Sequence, residues 1–156
     1  MPKPTEDEVH SALNAAISEL FNVDDHLLSV DSSERSVTHQ LAVHLAPHFD
    51  GYQVDCEYNR DGHSVKRLQL PQDINPVPPN SLDAVTVFPD VIVHVRGNNN
   101  GNLLVIEVKK ASSGADHSHD IAKLNAFKKQ LEYTYAVHLV LGYKQSGELV
   151  NLQTWQ

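Results

Sequence analysis

The sequence predicts an α/β domain in which helices flank a mixed central sheet. The expected order is helix, helix, strand, two hairpin strands, helix, strand, strand. Three observations point there. Apolar residues recur at helical spacing behind good capping residues in two N-terminal stretches, Val9 to Leu20 and Val37 to Leu45. Two β-branched runs, Val91 to Val95 and Leu103 to Val108, flank the turn-forming segment Gly97-Asn98-Asn99-Asn100-Gly101, a strong hairpin signal. A further helical stripe, Ile121, Leu124, Phe127 and Leu131, then separates that hairpin from the strands Ala136 to Leu141 and Leu149 to Thr154.

A chain of 156 residues with 40% hydrophobic and 21% charged content fits one soluble domain over 1-156. No apolar run approaches the roughly 20 residues a membrane span requires. The N-terminal MPKPTEDEV lacks a signal peptide's apolar core, and Cys56 is the lone cysteine, so a cytoplasmic chain without an internal disulfide is expected. The net charge of −8 speaks against a generic basic nucleic-acid coat. That charge is uneven: residues 1-31 carry −6 and the remainder −2. Arg96, Lys109, Lys110, Lys123, Lys128 and Lys129 all follow the first hairpin strand and can make a local basic surface.

Taken in order, Thr5-Glu6-Asp7-Glu8 has the form of a capping box. The stripe Val9, Ala12, Leu13, Ala16, Ile17 and Leu20 follows, and this first helix should end near Phe21 within a helical extension over 1-31. Asp31-Ser32-Ser33 offers N-cap residues for a second helix that stops by Pro47. Val37, Leu41 and Leu45 form its inward stripe, and Glu34 shares it. Glu34 should therefore face the sheet, or else simply complement the helix N-terminus. Gln53 to Tyr58 alternates as a first strand with Asp55 and Glu57 on its wetter side. Residues 59-82, with Pro71, Pro76, Pro78 and Pro79, show no period and read as an irregular insertion. Its Arg60, Lys66 and Arg67 are candidates to meet phosphates. Asp116-His117-Ser118-His119-Asp120 reads as a polar loop entering a helix N-cap; a zinc site would need ligands that a His-x-His pair on a helix cannot aim together.

The hairpin carries the chemistry. The run from Leu103 is apolar on both faces, which suits the middle of a covered sheet, yet it ends in Glu107 and Lys109 on one face. Buried charges need partners or a metal. Asp90, behind Pro89, comes back alongside Glu107 in an antiparallel hairpin. The two share a face only if paired residue numbers add to an odd value, and a total of 197 sets them opposite each other. His94 and Arg96 follow on the Asp90 face and are candidates to touch substrate or to brace the site.

Pro89-Asp90, then Glu107-Val108-Lys109 on the next strand, resembles the signature of the PD-(D/E)XK nuclease superfamily. The longer wording PDVIVHVRG and NLLVIEVKK looks like small stand-alone bacterial members of it. The resemblance implies a restriction endonuclease-like αβββαβ core over most of residues 32-142, here with an added N-terminal helix and a C-terminal strand. It also implies a Mg²⁺- or Mn²⁺-dependent nuclease acting on nucleic acid, DNA foremost, with Asp90, Glu107 and Lys109 as catalytic residues. Asp90, Glu107 and the Val108 carbonyl would hold the metal, joined in some branches by an acid on the first core helix, here Glu34. Lys109 would act as an electrostatic group on the reacting phosphate. Lys110, Lys123, Lys66, Arg67 and Gln130 complete the candidates for substrate contact. Gln130 departs from the exonuclease branch's Gln-x-x-x-Tyr motif, since Thr134 stands where the Tyr belongs. A homodimer is expected from the resemblance alone. The competing class is a non-catalytic module on the same fold, contacting a partner protein through its acidic N-terminal helix.

Overall fold

The computed structural model describes residues 2-58, 67-69, 84-86, 88-114 and 116-156. Its helices are α1 (Glu6–Val23), α2 (Asp25–Ser29), α3 (Glu34–Leu45) and α4 (Ser118–Gln130). Its strands are β1 (Gln53–Cys56), β2 (Arg67–Gln69), β3 (Ala84–Thr86), β4 (Val91–His94), β5 (Leu104–Lys110), β6 (Tyr135–Tyr143) and β7 (Leu149–Trp155). Five of them form one sheet in the order β1-β4-β5-β6-β7. The β5/β6 pair is parallel and the others are antiparallel, so the sheet is mixed. The parallel pair is joined through α4, the connection that parallel neighbours require.

The helices begin where their capping chemistry permits. Thr5 accepts from the Glu8 N–H at 3.3 Å while Glu8 accepts from the Thr5 N–H at 2.8 Å, closing the capping box. Ser33 accepts from the Ser36 N–H at 3.2 Å at the start of α3. The stripe from Val9 to Leu20 is buried, and α1 runs on to Val23, two residues beyond Phe21. It packs with α3 over one face of the sheet, against Val91, Val93, Leu104, Ile106, Val108, Val137, Leu139 and Leu141. On the opposite face, Leu124 and Phe127 of α4 pack on Ile92, Val105 and Ala136. With both faces covered, β5 is the buried middle strand that its two-sided apolar pattern demands.

Three features differ from the sequence reading. The five-residue α2 follows α1 directly; it has no side-chain cap, and a single turn shows no period. The insertion over 59-82 is not wholly irregular, because Arg67–Gln69 pairs antiparallel with Ala84–Thr86. Strands of three residues are too short for alternation to be read. Finally, β1 stops at Cys56 rather than Tyr58. Glu57 adopts φ +50° and donates its N–H to the carbonyls of Pro89 (2.8 Å) and Asp90 (3.2 Å), which turns the chain off the sheet beside the hairpin's start.

At the far end of the hairpin a 3-10 turn, Asn99–Gly101, closes the loop. A side chain at Gly101 would place its Cβ 2.6 Å from the Cβ and Cγ2 of Val95, closer than atoms can approach, so the tip admits only glycine.

Replacing Thr5 by Ala should cost about 1 kcal/mol of stability, the usual loss for an N-cap, while leaving the sheet intact. Urea unfolding checks this. An unchanged midpoint would mean that α1 adds nothing through its capped end.

Candidate functional site

The β4/β5 register pairs Val91 with Ile106, Ile92 with Val105 and Val93 with Leu104, so partner numbers total 197. One step further along, Asp90 falls opposite Glu107. Both point to the α4 face, as does Lys109 two residues on. Asp90 accepts the Val108 N–H at 2.8 Å through Oδ2, filling the place of the next ladder bond. Because a residue's N–H and C=O leave an extended strand on the same side, the Val108 carbonyl also faces Asp90.

Glu107 is 2% exposed, at the foot of this arrangement. Burial pushes its carboxyl well above the usual range, and the adjacent Asp90 charge pushes it further; Lys123 offsets only part of that. Lys123 Nζ lies 2.8 Å from Glu107 Oε1, an ion-pair distance. It is off the direction of a hydrogen bond, however, so Oε1 is buried without an aligned donor among the described residues. The same ammonium donates to the Phe88 carbonyl at 3.2 Å.

Lys109 is bracketed by two acids, with Nζ 3.4 Å from Asp120 Oδ2 and 3.7 Å from Glu34 Oε1. Burial alone would depress its pKa, but Asp120 and Glu34 outweigh it and leave the ammonium more firmly protonated than a free lysine. Its neighbours thus favour the ammonium form of Lys109. Asp120 also meets His138 Nε2 at 3.3 Å, and the His138 ring lies 4.6 Å from that of His117. His138 is the parallel-ladder partner of Glu107. Glu34 and Asp90 both line an open cavity of about 360 Å³, with Thr38, His39, Cys56 and Glu57. Burial, then the charges of Asp55, Glu57 and Asp90, raise the Cys56 thiol to about 11, so it stays protonated and carries no nucleophile. A larger cleft of about 810 Å³, lined by residues including Asp31, Ala111 and Tyr143, touches none of this cluster.

The structure thus brings together Asp90, Glu107, Lys109, Glu34 and Lys123. Other candidates lie elsewhere. His94 and Arg96 are engaged by Asp55 of β1. His94 Nε2 is 2.7 Å from Asp55 Oδ2, and Arg96 donates to both carboxylate oxygens, Nε at 2.9 Å. Burial would raise the Asp55 carboxyl, but the hydrogen bonds from Arg96 and His94 hold it below its ordinary value. The face was read correctly, yet four residues of strand set His94 about 13 Å from Asp90, and the triad fastens β1 to β4 instead. Lys110, on the opposite face from Lys109, pairs with Asp31 at 3.4 Å. Gln130 is exposed at the last residue of α4, three turns from Asp120. Lys66 and Arg60 lie outside the described residues, and of Arg67 only the backbone, at the start of β2, is described.

Asp120 and His138 were missed. A signal existed for Asp120, which stands in the helical stripe with Leu124 and Phe127, where a buried acid needs a partner. His138 likewise interrupts an apolar strand.

The donor set suits a hard divalent cation. Two carboxyls facing one ammonium are short of positive charge, one buried carboxylate oxygen lacks an aligned donor, and a backbone carbonyl turns to the same side. Among the described residues no three His, Cys, Asp or Glu side chains converge as ligands. The set is two carboxylates and a carbonyl, which is compatible with Mg²⁺ or Mn²⁺ keeping several waters.

No family model, no curated protein and no solved structure matches this chain. Among the described residues no helix is long and apolar enough to cross a membrane.

Burial lowers the His138 pKa, an effect Asp120 offsets only in part. The unfolded chain therefore takes up this proton first as pH falls through the ordinary imidazole value near 6.5, and folded stability drops. The melting temperature of wild type relative to His138→Gln should decline from pH 8 to pH 5.5. A constant difference would exclude a buried neutral His138.

Proposed function

We propose that this protein is a metal-dependent nuclease of PD-(D/E)XK type, hydrolysing phosphodiester bonds of nucleic acid, with DNA as the first candidate. The observation that carries the reading is the opposition of Asp90 to Glu107 with Lys109 on the same face, at the end of a buried sheet. In support, the order α3, β1, β4, β5, α4, β6 follows the αβββαβ core of that superfamily, with β7 and the α1/α2 extension added.

Asp90, Glu107 and the Val108 carbonyl would hold Mg²⁺ or Mn²⁺, which would supply activation of water and neutralisation of charge on the phosphoryl oxygens. The protein's own residues do the rest. Asp90 is fixed by the Val108 N–H, so its remaining oxygen is aimed rather than free to rotate. Lys109 presents an ammonium flanked by Asp120 and Glu34, suited to the negative charge that grows on the phosphate in the transition state. Phe88, 53% exposed two residues before Asp90, offers an aromatic face on which a base can stack. A homodimer follows from the resemblance alone, and a protein contact through the acidic start of α1, Glu6, Asp7 and Glu8, belongs to the non-catalytic alternative.

One observation favours the alternative, a non-catalytic module on this fold: Lys123 already stands at Glu107, as a structural ion pair would.

Cleavage of supercoiled plasmid and of a labelled single strand with Mg²⁺ or Mn²⁺ decides between them. Activity should vanish with EDTA and in Glu107→Ala, and fall about 10²-fold or more in Lys109→Ala, on the scale of losing one transition-state donor. Lys109→Ala should keep Mn²⁺ affinity; equal loss of rate and affinity would refute the division of roles. Absence of activity in wild type, together with no stabilisation by Mn²⁺, would support the module.

A further inference from the structure

Lys123 reaches from α4 to the most buried acid of the cluster and is itself enclosed, its side chain 13% exposed. Its ammonium is bounded by two oxygens of different kinds, Glu107 Oε1 at 2.8 Å and the Phe88 carbonyl at 3.2 Å. This is an oxygen-lined cation position, and an ammonium and a divalent ion compete for such a position because they seek the same ligands. They cannot both stand against Oε1, since two cations that close repel strongly in a site with little water.

We propose that Lys123 is the resident cation of this site, displaced from Glu107 when a divalent metal binds and thereby freed to meet the phosphate of a nucleic acid. The inference rests on the metal site proposed above. Three observations favour exchange over a permanent pair. The aligned hydrogen bond of the ammonium goes to the Phe88 carbonyl, while its contact with Oε1 is an ion pair at 2.8 Å whose charge a divalent ion can replace. Its other oxygen partner is the backbone of Phe88, a residue 53% exposed, so the ammonium lies at the boundary of the cluster rather than deep within it. Lys109 does not occupy the same place, because its ion-pair partners are Asp120 and Glu34 and not Glu107. Glu107 is thus never left facing the core without a cation, and metal affinity is set by exchange rather than by the donor oxygens alone.

Calorimetric titration with Mn²⁺ tests this on wild type, Lys123→Met, Lys109→Met and Glu107→Gln. Methionine keeps the stem's bulk and removes the ammonium. Binding should tighten about tenfold in Lys123→Met, less than threefold in Lys109→Met, and disappear in Glu107→Gln. Equal tightening in the two lysine variants would reduce the effect to general charge and overturn the exchange. So would wild-type binding that needs Glu107 but is unchanged or weaker in Lys123→Met, an outcome that leaves the metal site standing. Absence of any Glu107-dependent binding would sink both. A measurement on wild type alone guards against misfolding of the variants. Acetylation of Lys123 by an N-hydroxysuccinimide ester, read by mass spectrometry against exposed Lys129, should rise several-fold at saturating Mn²⁺, and an unchanged ratio would overturn the exchange.

Discussion

The antiparallel register of β4 against β5 decides which side chains can meet at the end of this sheet. Side chains alternate faces along a strand, so the pairing that sets Val91 against Ile106 also puts Asp90, Glu107 and Lys109 on the α4 side. A slip of one residue would turn Asp90 to the other face and send Val91 and Val93 out of the α1/α3 core. The apolar core and the acid pair are consequently two results of one alignment. Burial of Val91, Val93, Leu104 and Ile106 holds that alignment in place, so the hydrophobic effect positions the polar cluster.

Once those acids are fixed in a place with little water, the electrostatics of the neighbourhood follow. Four acids, Glu34, Asp90, Glu107 and Asp120, are arranged around two lysines. The lysines divide the work unequally. Lys109 lies between Asp120 and Glu34 at 3.4 and 3.7 Å, whereas Lys123 stands 2.8 Å from the deepest carboxyl and donates to the Phe88 carbonyl. The cluster therefore carries more acids than bases, four against two, in a place with little water. His138, whose pKa burial lowers, meets Asp120 at 3.3 Å and serves the cluster as a packing and hydrogen-bonding group.

Much of this architecture could be read from residue patterns. The capping box at Thr5, the stripe from Val9 to Leu20, the hairpin and the odd pairing total rest on local rules, spacing and turn chemistry that need no knowledge of distant residues. What stayed hidden depends on three-dimensional placement. The Asp120 contacts with Lys109 and His138 form only once α4 has crossed from β5 to β6, and no spacing within the chain encodes that distance. The face of His94 and Arg96 was legible because face follows from parity, whereas their partnership with Asp55 requires knowing that β1 is the neighbour of β4. The short strands at Arg67–Gln69 and Ala84–Thr86 lacked the length for a period to show.

Gly101 at the hairpin tip has a consequence well beyond its turn. Val95 fills the space where its side chain would go, so the turn joining β4 to β5 closes in this form only with glycine at that position. The carboxyls lie some five residues away, roughly 17 Å along the strand. A single added methyl at the tip would press on Val95 and strain the turn, so the apolar core that holds the register would have to absorb that strain for the acids to stay aligned.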